Sequence, residues 1–314
     1  MGAQSVLVSG VAGFIGAHVA RRLRQEGWRV IGVDDLSGGE RANVPDEIEF
    51  IQADLAAAQT VAVLPRGCRH ILHLAGQSSG EISFDDPVAD LQKNTVSTLN
   101  LIRYGLDNGC ERFVFASSMS VYGDVEDVAV TEEHRCAPLS CYGVGKLAAE
   151  HYLRIYAARL PAVCLRMFNV YGPGQNLANL RQGMVSIYLA QGLAGGKIEV
   201  KGSLERCRDF IYIDDVVEAW WRALTRPAAV GLSINVGTGV KTTVRTLLDS
   251  ICVRVPGASY HLRGSTPGDQ SGIYADTRRL RSSLGIHAFT PLADGLAQFL
   301  EWARIAGPRT QGVT

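Results

Sequence analysis

Residues 5–34 read SVLVSGVAGFIGAHVARRLRQEGWRVIGVD. An apolar run at residues 5–9 leads into a glycine-rich turn, a segment of helical period at 14–26 and a second apolar run at 29–33. This order of a strand-like run, a helical segment and another strand-like run is typical of a β-α-β unit. Because the two strands are joined by a crossover helix, they must lie parallel in one sheet.

The same alternation continues through the first half of the chain. Further strand-like runs and helical segments follow in order at residues 48–51, 70–74, 85–108, 112–116, 142–159 and 162–168. A parallel sheet carries helices on both faces, so its strands are apolar on every residue rather than on alternate residues. The sequence therefore predicts an α/β fold built on a doubly wound parallel sheet.

The alternation loosens after residue 168, which we interpret as a domain boundary. The remaining elements are predicted at residues 180–193, 243–253, 277–283 and 292–305 as helices, and at 197–200 and 233–236 as strands. We therefore divide the chain into residues 1–168 and a smaller C-terminal region, residues 169–314. Residues 209–238 are expected to return to the first sheet. No flexible linker separates the two parts, so we expect them to pack together.

Composition and charge argue against several classes of protein. Hydrophobic residues make up 46% of the 314 residues and charged residues 20%, the ordinary mix of a folded domain. The 31 Lys and Arg residues balance the 31 Asp and Glu residues, so no net positive field exists to attract nucleic acid. Every apolar run is far shorter than the ~20 residues of a membrane helix. The N-terminus shows no signal-peptide pattern, and we expect a cytoplasmic protein.

Cysteine and histidine residues give no indication of disulfide or metal chemistry. The seven cysteines are odd in number, spread along the chain and without a Cys-x-x-Cys pair, so reduced and mostly buried thiols are expected. His70 and His73 lie three residues apart on a predicted strand and therefore point to opposite faces. We predict that they are core or turn histidines, and we predict no metal site.

The glycine-rich turn has the pattern of a phosphate-binding turn. Gly10 permits a tight turn after the first strand, Gly13 lets backbone N–H groups approach a pyrophosphate, and Gly16 brings helix and strand into contact. Any tight strand-to-helix turn uses glycine, so the pattern alone has low specificity. Asp34, at the end of the second strand, is placed to accept hydrogen bonds from ribose hydroxyls and to repel a 2′-phosphate. The unit therefore favours NAD over NADP, the alternative being that Asp34 and Asp35 are only turn residues.

A tyrosine and a lysine are spaced for proton transfer. Tyr142 and Lys146 lie four residues apart at the start of a predicted helix and therefore on one face. The ammonium group is expected to lower the pKa of the phenol towards neutral pH. Such pairs also occur on solvent-exposed helix faces, which is the alternative. Ser117 and Ser118 end the preceding predicted strand, at the sheet edge where ligand sites form.

These residues belong to a longer series of ordered motifs. The series resembles the extended short-chain dehydrogenase/reductase family, in its NAD-dependent nucleotide-sugar epimerase/dehydratase branch. The motifs that carry the resemblance are Gly10, Gly13 and Gly16, Asp34, Asp54, residues 73–76 (HLAG), Asn94, residues 117–123 (SSMSVYG), Tyr142 with Lys146, residues 166–175 (RMFNVYGPGQ), 208–215 (RDFIYIDD), 235–239 (NVGTG) and 267–269 (PGD).

The resemblance implies a Rossmann-type NAD-binding domain, a substrate-binding C-terminal region and a set of site residues. It implies the catalytic residues Ser118, Tyr142 and Lys146. It implies cofactor contacts at Gly10, Gly13, Phe14, Ile15, Gly16, Asp34, Asp54, Leu55, Leu74, Ala75, Gly76, Asn94, Tyr142 and Lys146. Substrate contacts are implied at Ser118, Ser120, Asn169, Arg208 and Asp269. A homodimer through the helices predicted at residues 85–108 and 142–159 is also implied.

Two positions separate the reactions of this branch. The 4,6-dehydratases carry an Asp-Glu pair after the catalytic hydroxyl residue, and this chain has Met119 and Ser120 there. Neither side chain is a general acid or base near neutral pH. The resemblance therefore implies an NAD-dependent epimerase of a nucleotide-diphosphate sugar, acting at carbon 4 of a UDP-hexose through a 4-keto intermediate. A 4-ketoreductase, a decarboxylase or an unusual dehydratase remain alternatives, as does a non-catalytic NAD-binding scaffold or sensor.

The chain departs from the family pattern at three places. Many relatives have arginine where Thr266 stands, and Arg263 is the candidate to replace that phosphate contact. Cys141 stands where proline is usual, and Gly145 stands where serine is usual. We expect Cys141 to be a packed thiol.

Overall fold

The computed structural model describes residues 4–125, 128–264 and 272–306. Its strands are, in chain order, β1 (Ser5–Ser9), β2 (Arg29–Asp34), β3 (Glu49–Gln52), β4 (His70–His73), β5 (Arg112–Ser118), β6 (Ala129–Val130), β7 (Ala162–Met167), β8 (Asn169–Tyr171), β9 (Lys197–Val200), β10 (Cys207–Arg208), β11 (Phe210–Tyr212), β12 (Ser233–Val236), β13 (Thr242–Thr243), β14 (Ser259–Leu262) and β15 (Tyr274–Ala275). Its α-helices are α1 (Phe14–Gln25), α2 (Thr60–Val63), α3 (Pro87–Leu91), α4 (Ser97–Asp107), α5 (Cys141–Ile155), α6 (Met184–Gly195), α7 (Ile213–Thr225), α8 (Val244–Arg254) and α9 (Leu292–Ala306).

Seven parallel strands form the main sheet, in the order β12-β7-β5-β4-β1-β2-β3. The chain runs outward from β1 to β3 and then returns to place β4 on the other side of β1. In doubly wound sheets this reversal leaves a crevice at the carboxyl ends of the strands, where ligands bind. The predicted doubly wound parallel sheet is confirmed.

Apolar layers cover both faces of the sheet. Val6 and Val8 of β1 belong to one buried cluster, together with residues of α1, α7 and α9, whereas Leu7 belongs to a second cluster with α4 and α5. Successive strand residues point to opposite faces, so a strand between two helical layers must be apolar throughout. Trp220 of α7 is fully buried in the first cluster, and Trp221 packs edge-on against Trp28. The two tryptophans are therefore packing residues.

Several helices differ from the sequence prediction. The helix predicted at residues 142–159 ends at Ile155 as α5, and the one predicted at 277–283 contains the π-helical turn Leu280–Leu284. The helix predicted at residues 85–108 consists of α3, a π-helical turn at Gln92–Val96 and α4, in one continuous run. The helix predicted from residue 180 begins at Met184, because Gly183 takes the left-handed φ of +84° just before it. Residues 176–182 form a loop instead, and this loop lines the cleft described below.

The C-terminal region adds short two-stranded pairings to the main sheet. Strands β9 and β14 pair in parallel beneath α6 and α8, and β8 pairs with β11. Strand β12 leaves this region and joins β7 as the last strand of the main sheet. The division at residue 168 stays a prediction.

Two further predictions concern cysteines and membrane helices. All seven cysteines are free thiols, and four of them are buried. No helix within the described residues has the length and apolar character needed to cross a bilayer.

Candidate active site

A cleft of about 590 Å³ opens at the carboxyl ends of the parallel strands. The turn after β1, the end of β2 and the segments after β3 and β4 form its floor. Every cofactor contact implied by the sequence lines this cleft, with the exception of Asn94: Gly10, Gly13, Phe14, Ile15, Gly16, Asp34, Asp54, Leu55, Leu74, Ala75, Gly76, Tyr142 and Lys146. Asn94 is fully buried directly behind Gly76.

The glycine-rich turn requires glycine at two positions. Gly10 has a φ of +71°, and a Cβ there would lie 2.6 Å from the backbone nitrogen of Ala75. A Cβ on Gly16 would lie 2.0 Å from the carbonyl oxygen of Gly10. Helix α1 begins after Gly13 without a side-chain cap and without an acidic residue in its first turn. Its first N–H groups are therefore available to an anion, and the helix dipole favours one.

Asp34 connects β2 to the glycine-rich turn. Its carboxylate accepts hydrogen bonds from the backbone N–H of Ala12 at 2.9 Å and of Leu36 at 2.8 Å. Burial raises the pKa of this carboxyl above its ordinary value, and the two backbone hydrogen bonds oppose the shift. Leu36 takes a left-handed φ of +62°, which the hydrogen bond from its N–H helps to hold. Asp34 thus shapes the pocket wall and presents negative charge to it.

A second acid and a lysine extend this wall, and the sequence analysis missed the lysine. Lys93 pairs with Asp35 and donates a hydrogen bond to Ser37 Oγ at 2.9 Å. Burial alone would raise the pKa of Asp35, but hydrogen bonds from Lys93 and Ser37 hold it below its ordinary value. All three residues line the cleft. Lys93 lies 58 residues from Asp35 in the chain, so no local pattern could identify the pair.

Tyr142 and Lys146 line the cleft, and Ser118 is hydrogen-bonded to Tyr142. Ser118 ends β5 and caps the 3₁₀ turn Met119–Val121 by accepting a hydrogen bond from the N–H of Ser120. Tyr142 and Lys146 occupy the first turns of α5, which Ser140 caps. The Lys146 ammonium lies 5.7 Å from the centre of the Tyr142 ring.

Burial dominates the charge state of the tyrosine and the lysine. Burial raises the pKa of Tyr142 to about 12, although its hydrogen bond with Ser118 acts in the opposite direction. Burial also lowers the pKa of Lys146 to about 8, against an upward contribution from Asp90. Contrary to the expectation of a pKa lowered by Lys146, the pKa of Tyr142 is raised in the protein alone, because desolvation by burial dominates.

The positions after Ser118 carry no acid. The side chain of Met119 packs on an apolar cluster that includes Val121 and Phe168. Ser120 receives a hydrogen bond from Ser118 Oγ at 3.2 Å. The segment therefore contributes a hydroxyl pair and an apolar contact beside Tyr142.

The implied substrate residues that the structure describes are not among those that line the cleft. Asn169 begins β8, and its Oδ1 is buried without a hydrogen-bond partner among the described residues. Arg208 of β10 is 3% exposed and donates to the carbonyl oxygen of Cys207. Asp269 and Thr266 lie outside the described residues. Arg263 pairs with Glu199 at 2.6 Å and is 70% exposed, so it contacts a carboxylate and not the cleft.

Two loops that the sequence analysis did not select form the opposite wall of the cleft. Residues 174–179 and Gln182 line it, as do Gln77 and Ser78. The loops are joined by a hydrogen bond from Ser79 Oγ to the carbonyl oxygen of Arg181 and by one from Gln182 to Ser78. Gln175 was quoted only within a motif, and its buried Oε1 has no partner among the described residues.

The described part of the site shows no metal centre. The described residues contain no group of three or more His, Cys, Asp or Glu side chains that could hold a metal ion. His73 is fully buried between Ser9 and Thr98, at 2.7 Å and 3.0 Å, as a core histidine.

Comparison with known proteins identifies relatives along most of the chain. Residues 6–237 match the model of the family described as "NAD dependent epimerase/dehydratase family". The chain is 36% identical over 309 residues to a UDP-glucose 4-epimerase of Mycolicibacterium smegmatis, with 95% of this chain and 98% of the relative covered.

Solved structures give the same result. A UDP-glucose 4-epimerase of Thermotoga maritima, solved with UDP-glucose, superposes with a TM-score of 0.91 at 30% identity and covers 96% of this chain and 99% of its own. A UDP-glucose 4-epimerase of Thermus thermophilus, solved with NAD, gives a TM-score of 0.87 at 31% identity, with 96% and 100% covered.

Proposed function

Because the chain belongs to the NAD-dependent epimerase/dehydratase family, we propose that it is a UDP-sugar 4-epimerase that inverts carbon 4 of a hexose through a 4-keto intermediate. The observation that carries this proposal is the grouping of Ser118, Tyr142 and Lys146 beside the cleft. The two residues that follow Ser118, Met119 and Ser120, supply no acid. The epimerases of the comparison support UDP-linked hexoses as the substrate class.

NAD is the cofactor of the family, and the cleft fits it. The tight turn through Gly10, Gly13 and Gly16, in which a Cβ on Gly10 or Gly16 would clash with backbone, leads into the uncapped start of α1. We assign the pyrophosphate to this turn and the adenosine ribose to Asp34, whose charge disfavours a 2′-phosphate. Bound NAD supplies a hydride acceptor for sugar carbon 4 and, when oxidised, a positive charge close to Tyr142.

The protein's own groups handle the proton. Tyr142 accepts the proton of the carbon-4 hydroxyl as a base and returns it when the alcohol is formed again. Ser118 holds the same hydroxyl by a hydrogen bond and stabilises the phenolate. The charged Lys146 stabilises the phenolate through space. The reaction consumes no cofactor, because hydride and proton both return.

Inversion requires a sugar that turns within the pocket. A nucleotide held firmly and a sugar held loosely allow both faces of the ketone to be presented at similar energy. Asn169 and Arg208 are our candidates for the diphosphate, since each brings a polar side chain from the C-terminal region. Elimination of water at carbons 5 and 6 would need an acid and a base, which Met119 and Ser120 do not supply.

Product analysis tests the proposal. Purified protein is incubated with UDP-glucose, UDP-N-acetylglucosamine and the two corresponding uronic acids, without added reductant, and products are identified by NMR. We expect the carbon-4 epimer of at least one substrate. Tyr142→Phe should reduce turnover by about 10²- to 10⁴-fold, whereas Tyr152→Phe, an exposed tyrosine on the same helix, should leave it unchanged.

Other products would overturn the assignment. Dehydrated or decarboxylated sugars, or stoichiometric consumption of added NADH, would identify one of the other reactions of the branch. Bound NAD with no turnover of any sugar, and an unchanged cellular role for Tyr142→Phe, would indicate a non-catalytic NAD-binding protein.

A further inference from the structure

Asp90 is a buried acid close to the active site that the proposed mechanism does not use. It lies on α3, is 2% exposed, and its Oδ1 accepts hydrogen bonds from Gln77 Nε2 at 2.9 Å and Asn94 Nδ2 at 3.0 Å. Its Oδ2 is buried and has no hydrogen-bond partner among the described residues. A buried carboxylate that is only half satisfied is costly, and it needs a nearby opposite charge.

Close packing of α5 on α3 places Lys146 and Asp90 near the same residue, Asn94. A Cβ on Gly145 would lie 3.5 Å from Asp90 Oδ2 and 3.3 Å from Asn94 Cβ, so a glycine beside Lys146 lets α5 approach α3. On the cleft side, a Cβ on Gly76 would lie 2.4 Å from Asn94 Oδ1 and 3.3 Å from Lys146 Nζ. Asp90, Asn94 and Lys146 therefore form one buried polar group behind Gly76.

The charges in this group act on each other. Burial lowers the pKa of Lys146, whereas the charge of Asp90 raises it. Conversely, burial raises the pKa of Asp90, whereas Gln77 and Lys146 lower it. Asp90 also raises the pKa of Tyr142. From α5 the titratable side chains that face Asp90 are Tyr142, Lys146 and Cys141, the last across an apolar surface pocket. Lys146 is the cation among them.

We propose that Asp90 is a positioning residue, the counter-charge that keeps Lys146 charged and fixed beside Tyr142. The inference rests on the proposed role of Tyr142 and Lys146 in proton transfer. Gln77 and Asn94 orient the carboxylate, and its free oxygen provides the attraction for the ammonium group. Without this charge, desolvation would remove the proton of Lys146 near neutral pH.

The proposal predicts how the pH profile moves. Activity requires an ionised Tyr142, which sets the acid limb, and a protonated Lys146, which sets the basic limb. Removing a negative charge favours the phenolate and disfavours the ammonium, so both limbs shift to lower pH. A neighbouring charge moves a pKa by about one unit, and the two limbs report macroscopic pKa values of the coupled pair Tyr142 and Lys146.

Asp90→Asn tests this, with Asp86→Asn as the matched control. Asp86 is an exposed carboxylate that caps the same helix, and asparagine preserves the cap. We expect both limbs of the kcat profile to move down by about one pH unit in Asp90→Asn, with KM unchanged, and neither limb to move in Asp86→Asn. Limbs at the wild-type positions would overturn the proposal.

A spectroscopic titration separates this inference from the substrate assignment. The near-ultraviolet absorbance of the Tyr142 phenolate is followed against pH in the NAD-bound protein, with Tyr142→Phe subtracted. The titration should shift to lower pH in Asp90→Asn even if no UDP-sugar is epimerised. If Asp90→Asn does not fold, Asp90→Glu is the second variant, because it keeps the negative charge. We expect it to retain the wild-type titration of Tyr142 with a lower kcat. A shifted titration in Asp90→Glu would refute the role of Asp90 as a counter-charge.

Discussion

For Tyr142 and Lys146, burial has a larger effect on the pKa than any neighbouring group has. Their four-residue spacing correctly predicted that they lie together. Their charge state could not be predicted from that spacing, because burial raises the pKa of Tyr142 to about 12 and lowers that of Lys146 to about 8. At neutral pH the protein alone therefore holds a neutral phenol. Ionisation of Tyr142 requires further positive charge in the cleft.

His73 makes the fold sensitive to acid. Its fully buried ring has a pKa lowered by burial to about 3, with Lys146 contributing in the same direction. The unfolded chain binds a proton below about pH 6.5, and the folded chain does not. Stability from this residue is thus fully present above that pH and is lost as the pH falls towards 3. We expect the free energy of unfolding to drop by about 2 kcal/mol from His73 alone between pH 7 and pH 5.

Urea denaturation at a series of pH values measures this effect. His73→Asn should lower stability at pH 7, because it loses ring contacts with Ser9 and Thr98. It should also reduce by one the number of protons taken up on unfolding, so that the free energy of unfolding depends less steeply on pH. His151→Asn, which removes an exposed histidine, is the control. An unchanged slope in His73→Asn would show that the ring is protonated in the folded protein.

At the scale of elements, one carboxylate of α5 is hydrogen-bonded to three strands of the sheet. Glu150 lies two turns beyond Tyr142 on the same face of the helix. It accepts two hydrogen bonds from Arg166 of β7, at 2.9 Å and 2.7 Å, and further ones from Ser117 of β5 and Ser233 of β12. Three strands of the sheet are therefore bonded to α5 two turns from Tyr142.

Glu150→Gln tests this connection. Both Glu150 and Arg166 are buried, so the substitution leaves a guanidinium group without its counter-charge, and we expect a loss of about 3–5 kcal/mol in the free energy of unfolding. The exposed pair Arg29–Glu49 is the control, where Glu49→Gln should cost about 1 kcal/mol or less. Equal losses in the two variants by urea denaturation would contradict a special role for Glu150.

The limits of prediction at this scale have physical causes. Hydrophobic periodicity identified β1 and α1 to within a residue, because each has a continuous buried face. It extended α6 back to residue 180, because Leu180 fits a helical period. The backbone angle of Gly183 instead makes the helix begin at Met184. The unusual Gly145 had no explanation from sequence. The structure shows a tight fit there, since a Cβ would lie 3.3 Å from Asn94 Cβ.

At the scale of the whole molecule, the cofactor cleft was more predictable than the substrate side. The residues that line the cleft at the turn after β1 and at the ends of β2 and β4 lie in short motifs that can be recognised in the sequence. The opposite wall comes from residues 174–182 and from Lys93, which reach the cleft only through tertiary packing. The assignment of site residues to NAD and sugar stays a prediction.

An apolar surface on α3 and α5 supports the expected homodimer. Val88, Leu91, Val144 and Ile155 are between 48% and 71% exposed, and α3 packs directly on α5. Val144 and Ile155 are eleven residues apart, which places them on one face three turns from each other. We propose that a second copy of the chain covers this surface.

Ile155→Asp should convert the dimer to a monomer in light scattering coupled to gel filtration. A charge buried in an apolar interface is costly, whereas it is harmless in water. Val253→Asp, at an 82% exposed position on α8, is the matched control and should remain dimeric. A monomeric wild-type protein, or a dimeric Ile155→Asp variant, would rule out this interface.

The position of β12 next to β7 has a consequence for biosynthesis. Every residue of β7 but the last is buried, and its outer hydrogen-bonding groups are paired by residues 231–236. A ribosome adding about 5–20 residues per second needs several seconds to make the intervening polypeptide. During that time the nascent chain presents an open apolar strand, the kind of template on which polypeptides aggregate. Chaperones that shelter this strand would therefore have their greatest effect on yield before residue 236 has emerged.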